Sequence, residues 1–442
     1  MSEPIVAIIG RPNVGKSTLF NRMIGSRQAI VDDKPGVTRD RNYGHVEWTG
    51  QQFVLIDTGG YLPASTEQMD IAIKEQVDLA VDEADILLFV VDAQTGITEI
   101  DEQIASMLRK SESKVLVVVN KVDDQRNDPY VGEFYNLGLE EPIPISAMKG
   151  RSIGDFLDTL ASAIKTVPAR DQDFDGIKIA VVGKENVGKS SLVNTLLEQN
   201  RSIVTNIPGT TRDSIDSELN YQNKKYLLID TAGLKKKAKV KENILFYSNL
   251  RTFRSIQRAD VVVYMVDINE GLSRQDVYLL NEATNQRKGI VLLLNKWDLI
   301  EKDHKTINEY TLDIRERLGV LRFIPMMFVS VHNKQRLYKA LDLVNTVMEE
   351  MTKRIQTSEL NNFFGPLIHE TTPPAVKGKE IKINYITQLH ANFPLFAFYC
   401  NHPNLITENY KRFLENKLRE QFGFSGVPVI LSYRNKNKDG SK

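Results

Sequence analysis

The chain has few of the features that mark a secreted, membrane-bound or zinc-binding protein. A single cysteine, Cys400, stands among 442 residues, so no internal disulfide can form and a reducing cytoplasm is expected. No apolar run approaches the roughly 18 residues that indicate a membrane helix. The amino terminus lacks the basic region and cleavage site of a signal peptide. The six histidines show no metal-ligand spacing, so no zinc site is predicted.

The chain also lacks a net charge, but its charges are unevenly distributed. Residues 1–167 carry 16 basic and 26 acidic side chains, whereas residues 353–442 carry 13 basic and 7 acidic ones. A basic segment either faces a phosphate backbone or simply solvates a surface. Charge alone leaves both interpretations open.

Four short motifs occur twice along the chain, in the same order. The first copy holds them at 10–17 (GRPNVGKS), 35–40 (PGVTRD), 57–60 (DTGG) and 120–123 (NKVD). The second copy holds them at 183–190 (GKENVGKS), 208–213 (PGTTRD), 230–233 (DTAG) and 295–298 (NKWD). The offset is 173 residues for the first three motifs and 175 for the fourth. Such constant spacing indicates a duplicated domain.

Each copy alternates short apolar runs with helix-length segments, which predicts an α/β fold with a mostly parallel sheet flanked by helices. The predicted strands lie at 5–9, 53–56, 86–91, 115–119 and 142–145, and at 177–182, 226–229, 261–266, 290–294 and 324–329. The predicted boundaries are 1–167 for the first domain, 168–176 for a linker and 177–352 for the second domain.

Residues 353–434 repeat none of the motifs and predict a small α+β module, followed by a polar tail at 435–442. Strands are expected at 381–387, 395–399 and 427–433. A helix is expected at 407–422, because apolar side chains recur there at helical spacing, namely Tyr410, Phe413, Leu414, Leu418 and Phe422.

The first motif is typical of a phosphate-binding loop between a strand and a helix. Its glycines let backbone N–H groups surround phosphates, and the helix amino terminus adds a favourable dipole. Lys16 and Lys189 are predicted to reach the β- and γ-phosphates, while Ser17 and Ser190 ligate magnesium. The predicted loop residues are Gly10, Asn13, Val14, Gly15, Lys16, Ser17 and Thr18, and Gly183, Asn186, Val187, Gly188, Lys189, Ser190 and Ser191.

The second and third motifs predict the remaining magnesium and γ-phosphate contacts. An aspartate ends an apolar strand to hold magnesium, a glycine three residues later offers its N–H to the γ-phosphate, and a loop threonine closes over the metal. These residues are Asp57, Gly60 and Thr38 in the first copy, and Asp230, Gly233 and Thr211 in the second. Ordinary turn chemistry remains the alternative for both threonines.

The fourth motif predicts that the base is guanine. A carboxylate accepts from guanine N1–H and the 2-amino group together, whereas adenine offers no such pair, which argues against an ATPase. The predicted base contacts are Asn120, Lys121, Asp123, Ser146 and Ala147, and Asn295, Lys296, Asp298, Ser330 and Val331. Val331 is bulkier than alanine, so the second loop is the less typical one.

One expected catalytic group is missing. Tyr61 and Leu234 stand where many switch GTPases carry a glutamine that orients the attacking water. Arg39 and Arg212 are only weak candidates for an arginine finger. Slow intrinsic turnover is therefore expected, on the order of 10⁻⁴–10⁻² per second.

Two such domains followed by a small basic module resemble the Der/EngA family of bacterial ribosome-assembly GTPases. The resemblance covers nearly the whole chain and includes, in the last module, Lys379, Lys382, Tyr385, Gln388, Phe393, Pro394, Asn401, 410–412 (YKR), Asn416, Arg419 and 426–428 (GVP). It implies a KH-like last domain, two GTP/GDP sites with Mg²⁺, and the large ribosomal subunit with its rRNA as partner. It also implies a potassium ion beside the phosphates, held by Asn13 and Asn186, with bracing of the loop as the alternative role of these asparagines.

The remaining expectations are a cytoplasmic monomer that binds neither membrane nor DNA and has a regulatory protein as a candidate partner. A KH domain clamps RNA with a Gly-x-x-Gly loop between two helices, whereas 423–426 (GFSG) falls between a helix and a strand. The module therefore either binds RNA or docks onto protein. The lysine run at 235–241 either contacts RNA or is a solvated loop. The rival functions are service to an RNA-modification or stress-signalling complex, and an RNA-binding scaffold with one silent GTPase domain.

Overall fold

The computed structural model describes most of the chain in two compact units. The described residues are 3–25, 43–57, 77–78, 80–81, 84–111, 113–167, 174–199, 206–208, 215–230, 244–301, 303, 305–376 and 378–435. The predicted linker is described only from 174 onwards, and the predicted tail only at its first residue. The domain boundaries stay predictions.

The first unit is built on a six-stranded sheet in the order β2-β3-β1-β4-β5-β6, parallel except for the β2–β3 pair. Its strands are β1 (Ile5–Ile9), β2 (Tyr43–Trp48), β3 (Gln51–Asp57), β4 (Ile86–Asp92), β5 (Lys114–Asn120) and β6 (Ile143–Pro144). Its described helices are α1 (Lys16–Ile24), α2 (Glu99–Arg109) and α3 (Ile153–Lys165), with a 3₁₀ segment at Gln125–Leu137.

The second unit repeats this sheet and adds one short edge strand, in the order β13-β12-β11-β7-β10-β9-β8. Its strands are β7 (Ile177–Gly183), β8 (Asn206–Pro208), β9 (Ile215–Tyr221), β10 (Lys224–Ile229), β11 (Val261–Asp267), β12 (Gly289–Asn295) and β13 (Met326–Phe328). Its helices are α4 (Lys189–Gln199), α6 (Arg274–Asn285), α7 (Thr306–Leu318) and α8 (Leu337–Thr352), with 3₁₀ turns at Trp297–Leu299 and Gly319–Leu321. Helix α5 (Ile244–Arg258) belongs to the first unit as far as Arg254 and to the second unit from Ser255.

The central strands form because their sequences are apolar on both faces. Every residue of β1, β4 and β11 is buried, and apolar cores lie on both sides of each sheet. Parallel strands covered by helices on both faces require this composition. The predicted α/β fold with a mostly parallel sheet is confirmed.

The C-terminal module also belongs to the second unit. Its sheet has the order β14-β15-β16, with β14 (Ile383–Gln388) antiparallel to β15 (Leu395–Cys400) and β16 (Ile430–Asn435) parallel to it. Helices α9 (Thr357–Glu370) and α10 (Glu408–Phe422) contribute to its core, and a 3₁₀ turn lies at Pro403–Leu405. The predicted α10 is confirmed, with Tyr410, Leu414, Leu418 and Phe422 buried.

The last predicted strand begins three residues later than expected. The prediction was 427–433, but β16 runs from Ile430 to Asn435. The reason is a contact with the seven-stranded sheet of the second unit. Val427 packs into that sheet's core, and Gly426 exchanges backbone hydrogen bonds with Ile290 and Phe323.

Candidate functional site

The two phosphate loops connect β1 to α1 and β7 to α4, and each requires a glycine at its first residue, Gly10 or Gly183. Gly10 and Gly183 have φ values of +146° and +143°. A Cβ at Gly10 would lie 2.3 Å from the Val90 carbonyl oxygen, and one at Gly183 would lie 2.2 Å from that of Met265. No other residue fits at these positions, because the loop passes directly over the neighbouring strand.

The lysine that follows each phosphate loop folds back and hydrogen-bonds to the first two carbonyl groups of that loop. Lys16 Nζ donates to the carbonyl oxygens of Gly10 and Arg11, both at 2.8 Å. Lys189 Nζ donates to the carbonyls of Gly183, at 2.7 Å, and Lys184. Burial lowers the pKa of Lys16 to about 8. The negative charge of Asp57 acts to raise this pKa, and the positive charge of Arg11 lowers it further. An anion bound in this loop would gain a partly desolvated cation.

One asparagine in each copy connects three of the predicted motifs. Asn120 Nδ2 donates to the Val14 carbonyl at 2.8 Å, and its Oδ1 accepts from the Ala147 N–H at 2.9 Å. Asn295 makes the same two bonds, to the Val187 carbonyl at 2.8 Å and from the Val331 N–H at 3.0 Å. The phosphate loop and the predicted guanine loop are therefore held by the same buried side chain, with Val331 in the place of Ala147.

The predicted base-binding residues Asp123 and Ser146 meet in the first copy, and the matching serine fixes a turn in the second. Ser146 Oγ donates to Asp123 Oδ1 at 2.7 Å and accepts from the Lys149 N–H at 3.0 Å. In the second copy Ser330 Oγ accepts from the Asn333 N–H at 3.1 Å. These bonds fix the turns that bring Ala147 and Val331 beside the two asparagines.

Two aspartates that the sequence reasoning missed hold the lysines of the fourth motif. Lys121 Nζ lies 2.5 Å from Asp92 Oδ2, and Lys296 Nζ lies 2.6 Å from Asp267 Oδ2. Burial would raise the pKa of Asp267, but hydrogen bonds from Lys296 and Asn269 leave the pKa lowered overall. Their signal in the sequence was an aspartate at the end of an apolar strand in both copies, 175 residues apart.

The described metal candidates suit magnesium. Asp57 ends β3 and is 2% exposed, and its charge acts on Lys16. Ser17 lies exposed in the first turn of α1, and Ser190 lies half-buried in the first turn of α4. Mg²⁺ prefers hard oxygen ligands of this kind, and phosphate oxygens and water molecules usually complete its coordination shell. Among the described residues no group of three His, Cys, Asp or Glu side chains could hold a metal by itself.

Several predicted residues lie outside the described part of the chain. These are Thr38, Gly60, Thr211 and Gly233, the positions of the missing glutamine at Tyr61 and Leu234, Arg39, Arg212, and the lysine run at 235–241. Asp230 is described and directly follows β10, with a φ of +56°. Asn13 and Asn186 share a left-handed backbone, with φ values of +64° and +59°.

The Gly-x-x-Gly segment of the C-terminal module contacts β12, α8 and the segment before β13. Gly426 N–H donates to the Phe323 carbonyl at 2.8 Å, and the Gly426 carbonyl accepts from Ile290 N–H at 2.7 Å. Phe424 N–H donates to Glu350 Oε2 at 2.7 Å. The Arg419 guanidinium lies 4.2 Å from the Phe323 ring centroid. The segment is thus a docking loop, here defined as residues 423–427. As the sequence indicated, it lies between a helix and a strand.

None of the helices among the described residues combines the length and apolar character needed to cross a bilayer.

A family described as "50S ribosome-binding GTPase" matches residues 5–121 and 178–296. A second, "KH-domain-like of EngA bacterial GTPase enzymes, C-terminal", matches residues 354–434.

Full-length relatives agree with these matches. The chain is 50% identical over 436 residues to GTPase Der of Chloroherpeton thalassium, covering 98% of this chain and 100% of that protein. It is 48% identical over 432 residues to GTPase Der of Cytophaga hutchinsonii, covering 98% and 99%. With two repeated nucleotide-site frameworks and a KH-like third module, the chain belongs to the GTPase Der family.

Proposed function

We propose that this chain is a GTP-hydrolysing switch in the assembly of the large ribosomal subunit. The observation that carries the proposal is the asparagine brace, which joins phosphate loop to guanine loop by the same two bonds in both copies. The match to a family described as "50S ribosome-binding GTPase" supports the large ribosomal subunit as the partner.

The residue roles follow from this proposal. Lys16 and Lys189 bind the β- and γ-phosphates, Asp123 and Asp298 read guanine, and the main chain of each phosphate loop surrounds the phosphates. Magnesium, when bound through Ser17, Asp57, Thr38 and their counterparts Ser190, Asp230 and Thr211, neutralises phosphate charge. Gly60 and Gly233 sense the γ-phosphate.

Contact with rRNA is proposed for a surface other than the docking loop. The backbone groups of Phe424 and Gly426 already bond to Glu350, Phe323 and Ile290, so they have no free N–H for an RNA phosphate. The excess of basic residues in 353–442, together with the lysine run at 235–241, supplies positive charge elsewhere.

Slow turnover that potassium stimulates is proposed for the first site and, with less support, for the second. A cation beside Asn13 would neutralise transition-state charge in place of an arginine finger. Hydrolysis rates are compared in potassium and sodium buffers of equal ionic strength, for the parent chain and for Asn13→Ala. Equal rates of the parent in both buffers would contradict this part of the proposal.

Co-sedimentation with separated ribosomal subunits tests the proposed partner. The chain is expected to be retained on the large subunit with a non-hydrolysable GTP analogue and released with GDP. Lys16→Ala and Lys189→Ala are each expected to weaken retention. If both variants bind the subunit as the parent does, the switch is wrong. If each loses retention but only one lowers hydrolysis, the scaffold with a silent domain is favoured. No retention in any state favours the RNA-modification or stress-signalling alternative.

A further inference from the structure

An ion pair that the motif chemistry does not account for connects each phosphate loop to a helix, α2 after β4 in the first copy and α6 after β11 in the second. Arg11 Nε donates to Asp101 Oδ2 at 3.1 Å, and Lys184 Nζ lies 3.5 Å from Asp276 Oδ2. Arg11 and Lys184 are the second residues of their loops. Asp101 and Asp276 are 0% and 1% exposed. A buried carboxylate needs such a partner, so the contact ties the loop cation to a fixed point.

The helices hold these carboxylates firmly. Asp101 and Asp276 occupy the third position of α2 and α6, where each forms a reciprocal capping box with the N-cap residue. Asp101 Oδ2 accepts from the N–H and hydroxyl of Thr98 at 3.1 and 2.7 Å. Asp276 Oδ2 accepts from the same groups of Ser273 at 2.7 and 2.6 Å. The oxygen that meets the loop cation is therefore fixed by the first turn of a helix.

The other carboxylate oxygen distinguishes the two copies. Tyr264 hydroxyl donates to Asp276 Oδ1 at 3.0 Å, whereas Asp101 Oδ1 is buried without a hydrogen-bond partner among the described residues. The residue equivalent to Tyr264 is Phe89, since Phe89 pairs with Ile9 and Val117, and Tyr264 with their counterparts Val182 and Leu292.

The first copy instead has the stronger cation contact. Arg11 donates directly to Asp101 and also bonds the Thr95 hydroxyl. The Lys184 ammonium lies farther from Asp276, at 3.5 Å. A guanidinium makes a directed, charge-assisted bond that an ammonium at this distance does not. Arg11 thus holds the carboxylate of Asp101 in the first copy, whereas Tyr264 and Lys184 together hold that of Asp276 in the second.

This pair acts on the phosphate-binding lysine through the loop backbone. The carbonyl of Arg11 accepts from Lys16 Nζ, and the carbonyl of Lys184 accepts from Lys189 Nζ. A shift of Arg11 or Lys184 would therefore move a bonding partner of the lysine that meets the phosphates.

We propose that Asp101 and Asp276 are positioning residues for nucleotide binding, and that Arg11 in one copy and Tyr264 in the other are alternative means of holding them. The proposal rests on nucleotide binding at the two phosphate loops, as proposed above. It predicts that a tyrosine at position 89 can hold Asp101 in the first copy, and that an arginine at position 184 can hold Asp276 in the second.

A double-mutant cycle tests the first copy, in full-length chain carrying Lys189→Ala to remove binding at the second loop. Arg11→Lys is expected to weaken affinity for fluorescent mant-GDP about fivefold, within the usual range of coupling between contacting residues. Phe89→Tyr alone is expected to change affinity by less than about twofold, and to restore it to within about twofold of the background when combined with Arg11→Lys. Arg126→Lys, in an exposed pair of the same copy, is the control and is expected to have no effect.

The reciprocal cycle uses Tyr264→Phe and Lys184→Arg in a Lys16→Ala background. Tyr264→Phe is expected to weaken affinity and Lys184→Arg to restore it, a rescue that a general loss of stability would not give. The thermal midpoint of each variant without nucleotide is measured alongside, and if one tyrosine exchange fails to fold, the other cycle decides. Additive effects, or no loss of affinity in either single variant, overturn the proposal while leaving nucleotide binding intact. Absence of binding in both background chains would overturn the proposed function as well.

Discussion

At the scale of single residues, the sites depend on close contacts that leave no room for an added atom. A Cβ at Gly15 would lie 2.3 Å from Asn120 Nδ2, and one at Gly188 would lie 2.4 Å from Asn295 Nδ2. The asparagine that braces each phosphate loop therefore lies against the loop's second glycine. Glycine at this position serves both the left-handed backbone, with φ of +94° and +101°, and the brace.

Gly15→Ala is predicted to abolish or strongly weaken nucleotide binding at the first site. Alanine at this φ costs on the order of 1–2 kcal/mol, and its Cβ would displace Asn120 from Val14. Affinity for mant-GDP in the Lys189→Ala background should fall at least about tenfold, since roughly 1.4 kcal/mol corresponds to that factor. Gly50→Ala is the matched control, because Gly50 also has a positive φ (+78°) but nothing within 4 Å of an added Cβ. Equal affinities in the two variants would contradict the brace.

The sequence predicted which residues meet at the sites but not how they are bonded to one another. Asn120, Asp123 and Ala147 were expected from motif chemistry, and they lie together. Asp92 and Asp101 were not expected, because a lone aspartate after a strand or in a first helical turn is common and its partner is distant in sequence. Only the folded chain shows that Asp92 meets Lys121 and Asp101 meets Arg11.

At the scale of helices and strands, buried parallel strands were predictable and the antiparallel edges were not. Strand β1 matches its apolar run from first to last residue. Strands β2 and β9 were missed because polar residues interrupt their apolar ones, and each pairs antiparallel with the strand that follows it. Helix α9 was missed as well, because its apolar side is short and Pro366 interrupts the sequence pattern.

The docking loop gives a prediction for the second unit. Gly426 has a φ of +74°, and a Cβ there would lie 2.6 Å from Val347 Cγ2 and 2.8 Å from the Ile290 carbonyl oxygen. Gly426→Ala should destabilise the chain by about 1–3 kcal/mol beyond the backbone strain, as overpacking typically does. Gly378→Ala, with a φ of +71° and nothing within 4 Å of its Cβ, carries the strain alone. Denaturant unfolding compares them, and equal losses would show that the loop does not dock tightly.

Tyr410 gives a pH prediction for the C-terminal module. Its hydroxyl on α10 donates to the Thr371 carbonyl at the end of α9 at 2.7 Å, and burial raises its pKa from 10.0 to about 12. Above pH 10 the unfolded chain loses a proton that the folded chain keeps, so stability falls as the pH rises. Tyr410→Phe should therefore lower the thermal midpoint at neutral pH but flatten its decline between about pH 10 and 12. Tyr385→Phe, at an exposed tyrosine, is the control; parallel curves for Tyr410→Phe and the parent would refute the assignment.

At the scale of the whole molecule, duplication allows each copy to serve as a control for the other. Both copies have the same strand order, the same glycine geometry and the same asparagine brace, so these features belong to the shared framework. A difference such as Phe89 in one copy and Tyr264 in the other is then a substitution at an equivalent position of the shared framework. The repeat itself was predictable from motif spacing. The docking of the third module was not, since it depends on backbone bonds to Gly426 that no sequence pattern indicates.

The number of guanine nucleotides bound per chain tests most directly the claim that each copy contains its own complete site. Equilibrium dialysis with GDP at a saturating concentration and with magnesium is expected to give two nucleotides for the parent chain. Lys16→Ala and Lys189→Ala are each expected to give one, and the double variant none. A parent chain that binds a single nucleotide, or single variants that both still bind two, would contradict the account.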